Sequence, residues 1–218
     1  MAGENVPLLS RGADSDGKSG VSICCCPCLG GRSRSKTKVA PIELNMTVVG
    51  KENSGKTSLI YRFTRGCLPE QNTRTIIDTD GVDIMRRGKK IHLVIHDTSG
   101  TEEDARLRAL TYANCDLIIM CFPVDSPEAL HNIVADWAPE VRTLCCNTPY
   151  LLVGTKKDLR RKNNSKKCVS KKEGEAIARQ IGSVGYFEYS AHDEKNAVKS
   201  AKKLFGTAIG KCLEMRRQ

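Results

Sequence analysis

The chain has 218 residues, 39% of them hydrophobic, enough for one domain with a sizeable core and an extension. Its 35 Lys and Arg against 25 Asp and Glu leave a net charge of +10, which suggests acidic partners such as a membrane surface or nucleic acid. The longest apolar run, Leu117 to Val124, is far too short for a bilayer-spanning helix.

In chain order, residues 1–41 are polar and rich in Gly and Ser, and a disordered extension is expected there. Val21 to Leu29 is apolar and follows basic residues, but it lacks the A-x-A-type cleavage site of a signal peptide. Cys24, Cys25, Cys26 and Cys28 form a cluster with three readings. Zinc would need a second pair or a nearby His, and adjacent cysteines cannot all turn toward one tetrahedral ion. S-acylation suits clustered thiols in a flexible segment followed by Arg32, Arg34, Lys36 and Lys38, since acyl chains and a basic patch together make a stable anchor. The third reading is an exposed cysteine cluster without modification.

Leu44 to Val49 reads as a short buried strand, and Ser58 to Phe63 opens a helical pattern. Between them Gly50-Lys51-Glu52-Asn53-Ser54-Gly55-Lys56-Thr57 fits the phosphate-binding pattern G-x-x-x-x-G-K-[ST]. In a strand–loop–helix context, backbone N–H groups from Gly50 through Ser58 and the positive helix end converge on phosphate oxygens. Lys56 adds a point charge, and the Thr57 hydroxyl can ligate magnesium. A protein that binds cytosolic nucleotide keeps reduced thiols, so the 11 cysteines are not expected to form a disulfide framework.

Gly66 to Pro69 is a turn, and Asn72 to Thr75 a polar loop. Gly81 to Arg86 and Ile91 to Asp97 are strand-like and joined by the hairpin signal Arg87-Gly88-Lys89-Lys90. The second strand ends at Asp97-Thr98-Ser99-Gly100, where a carboxylate can reach a magnesium ion above the phosphate loop. Asp104 to Tyr112 is then helical, Leu117 to Phe122 a buried strand, and Pro127 to Arg142 an amphipathic helix with Leu130, Val134, Trp137 and Val141 near one face. Tyr150 to Gly154 and Gly185 to Tyr189 are strands flanking a helix over Glu173 to Ile181. The last helix carries Val198, Ala201, Phe205, Ala208, Ile209 and Cys212 on one stripe. Alternating strands and helices behind a phosphate loop predict an α/β fold with a doubly wound, mostly parallel sheet and its ligand at the strand ends.

Thr155-Lys156-Lys157-Asp158 follows a strand. A carboxylate there can accept from both N1–H and the 2-amino group of guanine, a donor pair that adenine lacks. After the last strand, a backbone N–H of Ser190-Ala191 could reach the guanine O6. In this order, and with the stretches Asp136 to Arg142, Asn147 to Arg160 and Ile181 to Tyr186, residues ~44–212 resemble a small GTPase of the Ras superfamily, and within it the Rho/Rac family.

The resemblance implies a P-loop G domain over 42–212 between the 1–41 extension and a basic tail at 213–218. It implies GTP/GDP and Mg2+ as cofactors, with Thr57 and Thr75 as metal ligands, Asp97 acting on the metal through water, and Gly100 sensing the γ-phosphate. It also implies a molecular switch whose ordered loops are read by effector proteins and reloaded by exchange factors. Four positions depart from the family pattern. Thr101 stands where Gln usually orients the attacking water, and Glu52 stands where Gly usually lies beside the γ-phosphate; both argue for impaired hydrolysis. Leu68 replaces the usual Phe that stacks on guanine, which favours fast exchange, and Asn72 replaces a usual Tyr in the effector loop.

The expectation is therefore a GTP-bound, Rho-like switch of slow turnover, acting as a monomer in cytoskeleton, polarity or membrane traffic. The alternatives are a nucleotide-stabilised scaffold, an ordinary regulated Rho-type GTPase, and a P-loop kinase or ATPase. The basic stretch Arg161 to Lys172 stands where Rho proteins carry a helical insert, and reads as a solvated loop or a membrane or partner contact. Nucleic-acid binding is not expected, because no aromatics interleave the basic residues. Cys212 is seventh from the end, so prenylation is not expected, and the N-terminal cysteines would hold the protein at the cytoplasmic face of a plasma, Golgi or endosomal membrane, with a cytosolic pool.

Overall fold

The computed structural model describes residues 40–70, 75–162 and 168–217. The cysteines at 24–28, Asn72 and the centre of the basic loop lie outside them. Six strands form one sheet: β1 (Ile42–Val49), β2 (Ile77–Arg86), β3 (Lys89–Thr98), β4 (Leu117–Pro123), β5 (Tyr150–Thr155) and β6 (Tyr186–Glu188). Their order is β2-β3-β1-β4-β5-β6, with only β2 antiparallel to its neighbour. This is the doubly wound, mostly parallel sheet that the alternating pattern predicts.

All seven residues of β4 are buried, because helices cover both faces of the sheet. Alternate side chains divide between two cores. Leu117, Ile119 and Cys121 join Leu44, Met46, Val48 and the buried stripe of α7 (Ala197–Met215). Ile118, Met120 and Phe122 join Tyr150, Leu152 and the helices on the other side. In α7 the stripe is Ala197, Ala201, Leu204, Phe205, Ala208, Ile209 and Cys212, so Ala197 and Leu204 are buried where Val198 was expected. Phe63 of α1 (Lys56–Thr64) stacks on Phe205 at 4.1 Å between ring centroids.

The helix expected over Pro127 to Arg142 is broken. It runs as α3 (Pro127–Asn132), a π turn (Ile133–Trp137) and α4 (Ala138–Leu144). Pro139 explains the change, since it has no N–H to donate to Ala135 and its ring would strike that carbonyl in a regular helix; the wider turn accommodates it. Helix starts follow their caps. Ser126 accepts from the Ala129 N–H at α3, and Ser170 and Glu173 form a reciprocal capping box at α6 (Lys171–Gln180). Two short helices, α2 (Ala105–Leu110) and α5 (Leu159–Lys162), complete the set; the four-residue α5 has too few periodic positions to be read from sequence.

The parallel register puts the loops after β1, β3, β5 and β6 at one end of the sheet. Val48 lies opposite Asp97, and β1 sits between β3 and β4, where the crossover direction reverses. A ligand crevice belongs at this switch point.

Candidate functional site

Gly50 leaves β1 with φ +140, and a Cβ there would come within 2.1 Å of the Cys121 carbonyl oxygen, so no other residue lets the loop turn this close to β4. Asn53 and Gly55 also take positive φ, at 56 and 86. The chain then enters α1 without a side-chain cap, so the N–H groups of the first turn remain available to an anion. The Lys56 ammonium, 7% exposed, folds back to donate to the carbonyls of Gly50 at 2.8 Å and Lys51 at 3.1 Å. Burial lowers its pKa from the ordinary lysine value, against the attraction of Asp97.

The cleft beside this loop has a volume of ≈ 590 Å³, in the range of small-molecule sites. Glu52, Asn53, Gly55, Lys56, Thr57 and Ser58 line it on the phosphate-loop side. Leu68, Lys156 and His192 line it as well, as do Thr75 and Gly100. Gly50, Ser54, Asp97, Thr155 and Ser190 stand behind as buried supports. The Thr155 hydroxyl donates to the carbonyls of Ser54 and Phe122, so it braces the phosphate loop against β4. The Ser190 hydroxyl donates to the Asp158 carboxylate, which orients that carboxylate. The Ala191 carbonyl accepts from Arg62 of α1 at 3.0 Å.

Three oxygens converge where a cation would sit. Thr57 Oγ1 donates to Asp97 Oδ2 at 2.5 Å and lies 3.3 Å from Thr75 Oγ1. Asp97 Oδ1 is buried with no partner, and burial pushes this carboxyl up to about 6 against the opposing pull of Thr57 and Lys56. An orphaned buried carboxylate oxygen beside two hydroxyls fits a hard divalent cation such as Mg2+, which keeps waters and takes few protein ligands. Among the described residues no group of three His, Cys, Asp or Glu side chains is arranged to hold a metal, so a cation here would rest on these oxygens and on the ligand's own phosphates.

Gly100 presses on the phosphate loop: a Cβ would meet the Glu52 nitrogen at 2.3 Å and the Gly50 carbonyl oxygen at 2.5 Å. Thr101 follows, but it does not line the cleft. Its hydroxyl donates to Asp104 Oδ2 at 2.8 Å and lies 3.1 Å from Ser99 Oγ. The loop is held from beneath by Arg108, 3% exposed, whose Nη1 donates to the Ser99 and Thr101 carbonyls, both at 3.0 Å. Its Nε and Nη2 form a fork onto Glu140 at 2.9 and 2.8 Å, and its guanidinium lies 4.6 Å from the Trp137 ring centre.

Sequence reasoning missed several of these residues. His192, Pro69, Glu70, Thr98 and Ser99 line the cleft, and only their adjacency to the motifs could have signalled it. Arg108 carries no motif, and Glu140, though inside the Asp136 to Arg142 stretch, carries no signal of its partner; the approach of α2 to α4 joins them. A sequence model of the Ras family matches residues 45–211, most of the chain, from within β1 to within α7.

Proposed function

Since the chain belongs to the Ras family of small GTPases, and so to the guanine-nucleotide signalling switches that bind magnesium and hydrolyse GTP, we propose that it is a Rho-type member held mostly in its GTP-bound form. The observation that carries this reading is the placement of Thr101. Its hydroxyl is engaged by Ser99 and Asp104 outside the cleft, and it has no amide to bridge a water and a γ-phosphate. Glu52 lines the cleft; it stands where the family usually has Gly beside the γ-phosphate, and its bulk and charge there would obstruct an arginine supplied by a partner. Lys56 and the N–H groups of the loop would hold the phosphates, Asp158 would read guanine, Thr57 and Thr75 would ligate Mg2+, and Asp97 would act on it through water. Magnesium, when bound, supplies positive charge to the phosphate oxygens.

On the base side Leu68 offers no ring. Base–aromatic stacking is worth roughly 1–3 kcal/mol, so nucleotide release speeds up about tenfold or more. Slow hydrolysis and fast exchange both favour GTP in a GTP-rich cytosol. Effectors read the loops around Thr75 and Thr101, and exchange factors act on the same surface. The membrane reading rests on Cys24, Cys25, Cys26 and Cys28: acylated, they place the switch at the cytoplasmic face of a membrane.

The test is the nucleotide released from the purified full chain, with single-turnover GTP hydrolysis. Mostly GTP and little phosphate release are expected; mostly GDP with ordinary hydrolysis sinks the reading. The anchorage of Ser99 and Thr101 by Arg108 favours a second reading, a nucleotide-stabilised scaffold. There, a partner would bind the GDP-loaded and GTP-loaded forms equally.

A further inference from the structure

The end of the sheet opposite the nucleotide cleft carries cations that nucleotide chemistry does not use. The β2–β3 hairpin closes through Arg87 and Gly88, both at positive φ, 48 and 74. This is the geometry of a type I′ turn, which favours Asn-Gly or Gly-Gly; an arginine in its first position sits in a backbone region that residues with a Cβ avoid. Its neighbour Arg86 lies on α7 over Gly206 and Gly210, one helical turn apart. A Cβ at Gly206 would stand 3.1 Å from Arg86 Nη1, and one at Gly210 would stand 3.1 Å from Nη2. Glycine is disfavoured inside a helix relative to alanine, yet two glycines here make the slot that seats one guanidinium.

Beside the slot is a small cavity of ≈ 50 Å³, where Arg86, Arg87, Lys89 and Arg217 meet. Glu214 is the carboxylate that lines it, and Glu214 is taken by Lys211 at 3.3 Å. The adjacent cations Lys90 and Arg216 are paired with Asp83 and Asp116. Among the described residues no carboxylate pairs with Arg86, Arg87, Lys89 or Arg217. Met85 and Met215, next to this group in the chain, are exposed. The chain enters β1 at the same edge, since Ile42 lies opposite Ile91.

We propose that this end of the domain docks on an anionic phospholipid bilayer, with lipid phosphates seated against Arg86, Arg87, Lys89 and Arg217. Charge complementarity carries the choice of partner. The cavity is too small to enclose a phosphorylated metabolite, whereas four cations with no carboxylate partner among the described residues, along a hairpin tip and a helix end, suit many phosphates in a plane. Docking here turns the strand ends that bear the nucleotide loops away from the membrane, where effectors reach them. It depends neither on acylation nor on the bound nucleotide.

The experiment uses the GDP-loaded full chain without acyl groups, sedimented with phosphatidylcholine vesicles that contain or lack phosphatidylserine. The variant Arg87→Gly/Lys89→Gln/Arg217→Gln removes three charges, suits the turn backbone and leaves Arg86 in its slot. Each charge near an anionic surface changes partition by roughly fivefold. The triple variant is therefore expected to bind phosphatidylserine vesicles at least about tenfold more weakly than wild type, with a melting temperature no lower than wild type and an unchanged GDP content. The charge-preserving variant Arg87→Lys/Lys89→Arg/Arg217→Lys is expected to bind as wild type does. The proposal is overturned if the triple variant binds within about twofold of wild type while Arg32→Gln/Arg34→Gln/Lys36→Gln/Lys38→Gln abolishes binding, which would place the contact in the N-terminal segment. It is equally overturned if inorganic phosphate, at the same phosphate concentration, displaces the protein from the vesicles, which would mark a soluble-anion site.

Discussion

Lys56 makes the cleft a phosphate site rather than a polar surface turn. Its ammonium is buried, its charge is disfavoured by that burial, and its two partners are loop carbonyls that hold the amine in place. A hydrogen bond to a charged group contributes about 1.5–3 kcal/mol, so Lys56→Met is expected to weaken GDP and GTP binding about 10- to 100-fold, as read by titration with a fluorescent nucleotide. Thr101 and Glu52 give a prediction of the opposite sign. Thr101→Gln with Glu52→Gly restores the amide and clears the loop, and is expected to raise single-turnover hydrolysis about tenfold or more. If phosphate release does not rise, the Arg108 anchorage, not the side chain at 101, limits the reaction. The phosphate loop was legible in the sequence because its chemistry is backbone N–H groups at fixed spacing, and spacing is what a sequence displays. Thr155 was not legible in the same way: its tetrad suggests the base, but which atom its hydroxyl meets depends on how closely β5 approaches the loop, and it meets the Ser54 carbonyl.

The contact between α2 and the π turn shows what a linear reading leaves out. Pro139 was visible in the sequence, but its effect was not: the turn around it places Trp137 beneath Arg108, which ties the start of the loop after β3 to α4. Removing one partner of a buried ion pair costs about 3–5 kcal/mol; here Glu140 is half-buried and keeps the hydrogen bond from Tyr112, so the low end of that range applies. Arg108→Met is expected to lower stability by about 3 kcal/mol, measured by urea denaturation, and to increase amide exchange across Ser99 to Asp104. Glu140 adds a pH dependence. Burial pushes its pKa up, but the hydrogen bonds from Arg108 and Tyr112 outweigh burial and hold it below the ordinary 4.5. A carboxylate lowered in the folded state stabilises above its unfolded value, and that contribution is lost as pH falls through the folded value. Thermal stability is thus expected to drop as the pH is taken below about 4.5, and Glu140→Gln, less stable at neutral pH, is expected to show a shallower drop.

Across the whole molecule, the alternation of apolar runs and amphipathic segments disclosed the fold class, and the match to the Ras family agrees with it. The strand order and the two unlike ends of the sheet were not readable, because both are set by which strands pair, not by any one strand's residues. One end gathers the buried Lys56, Asp97 and Ser54, with Asp97 Oδ1 and Ser54 Oγ left without partners. Such groups destabilise the empty domain, so the ligand is part of what holds that end together. A ligand at one hundred times its dissociation constant adds about 2.7 kcal/mol, and a domain of this size gains about 2–4 °C per kcal/mol. Stripping nucleotide by chelation and phosphatase treatment is therefore expected to lower the melting temperature by about 5–10 °C. GDP with magnesium is expected to restore it fully, and GDP with a chelator only in part, since Asp97 then keeps its orphaned oxygen. ATP with magnesium is expected to restore little, because adenine offers Asp158 no donor pair. Equal rescue by ATP would mean that Asp158, fixed by Ser190, does not read the base. An unchanged melting temperature on stripping would mean that the buried charges are compensated within the protein itself, and that binding and stability at this end are uncoupled.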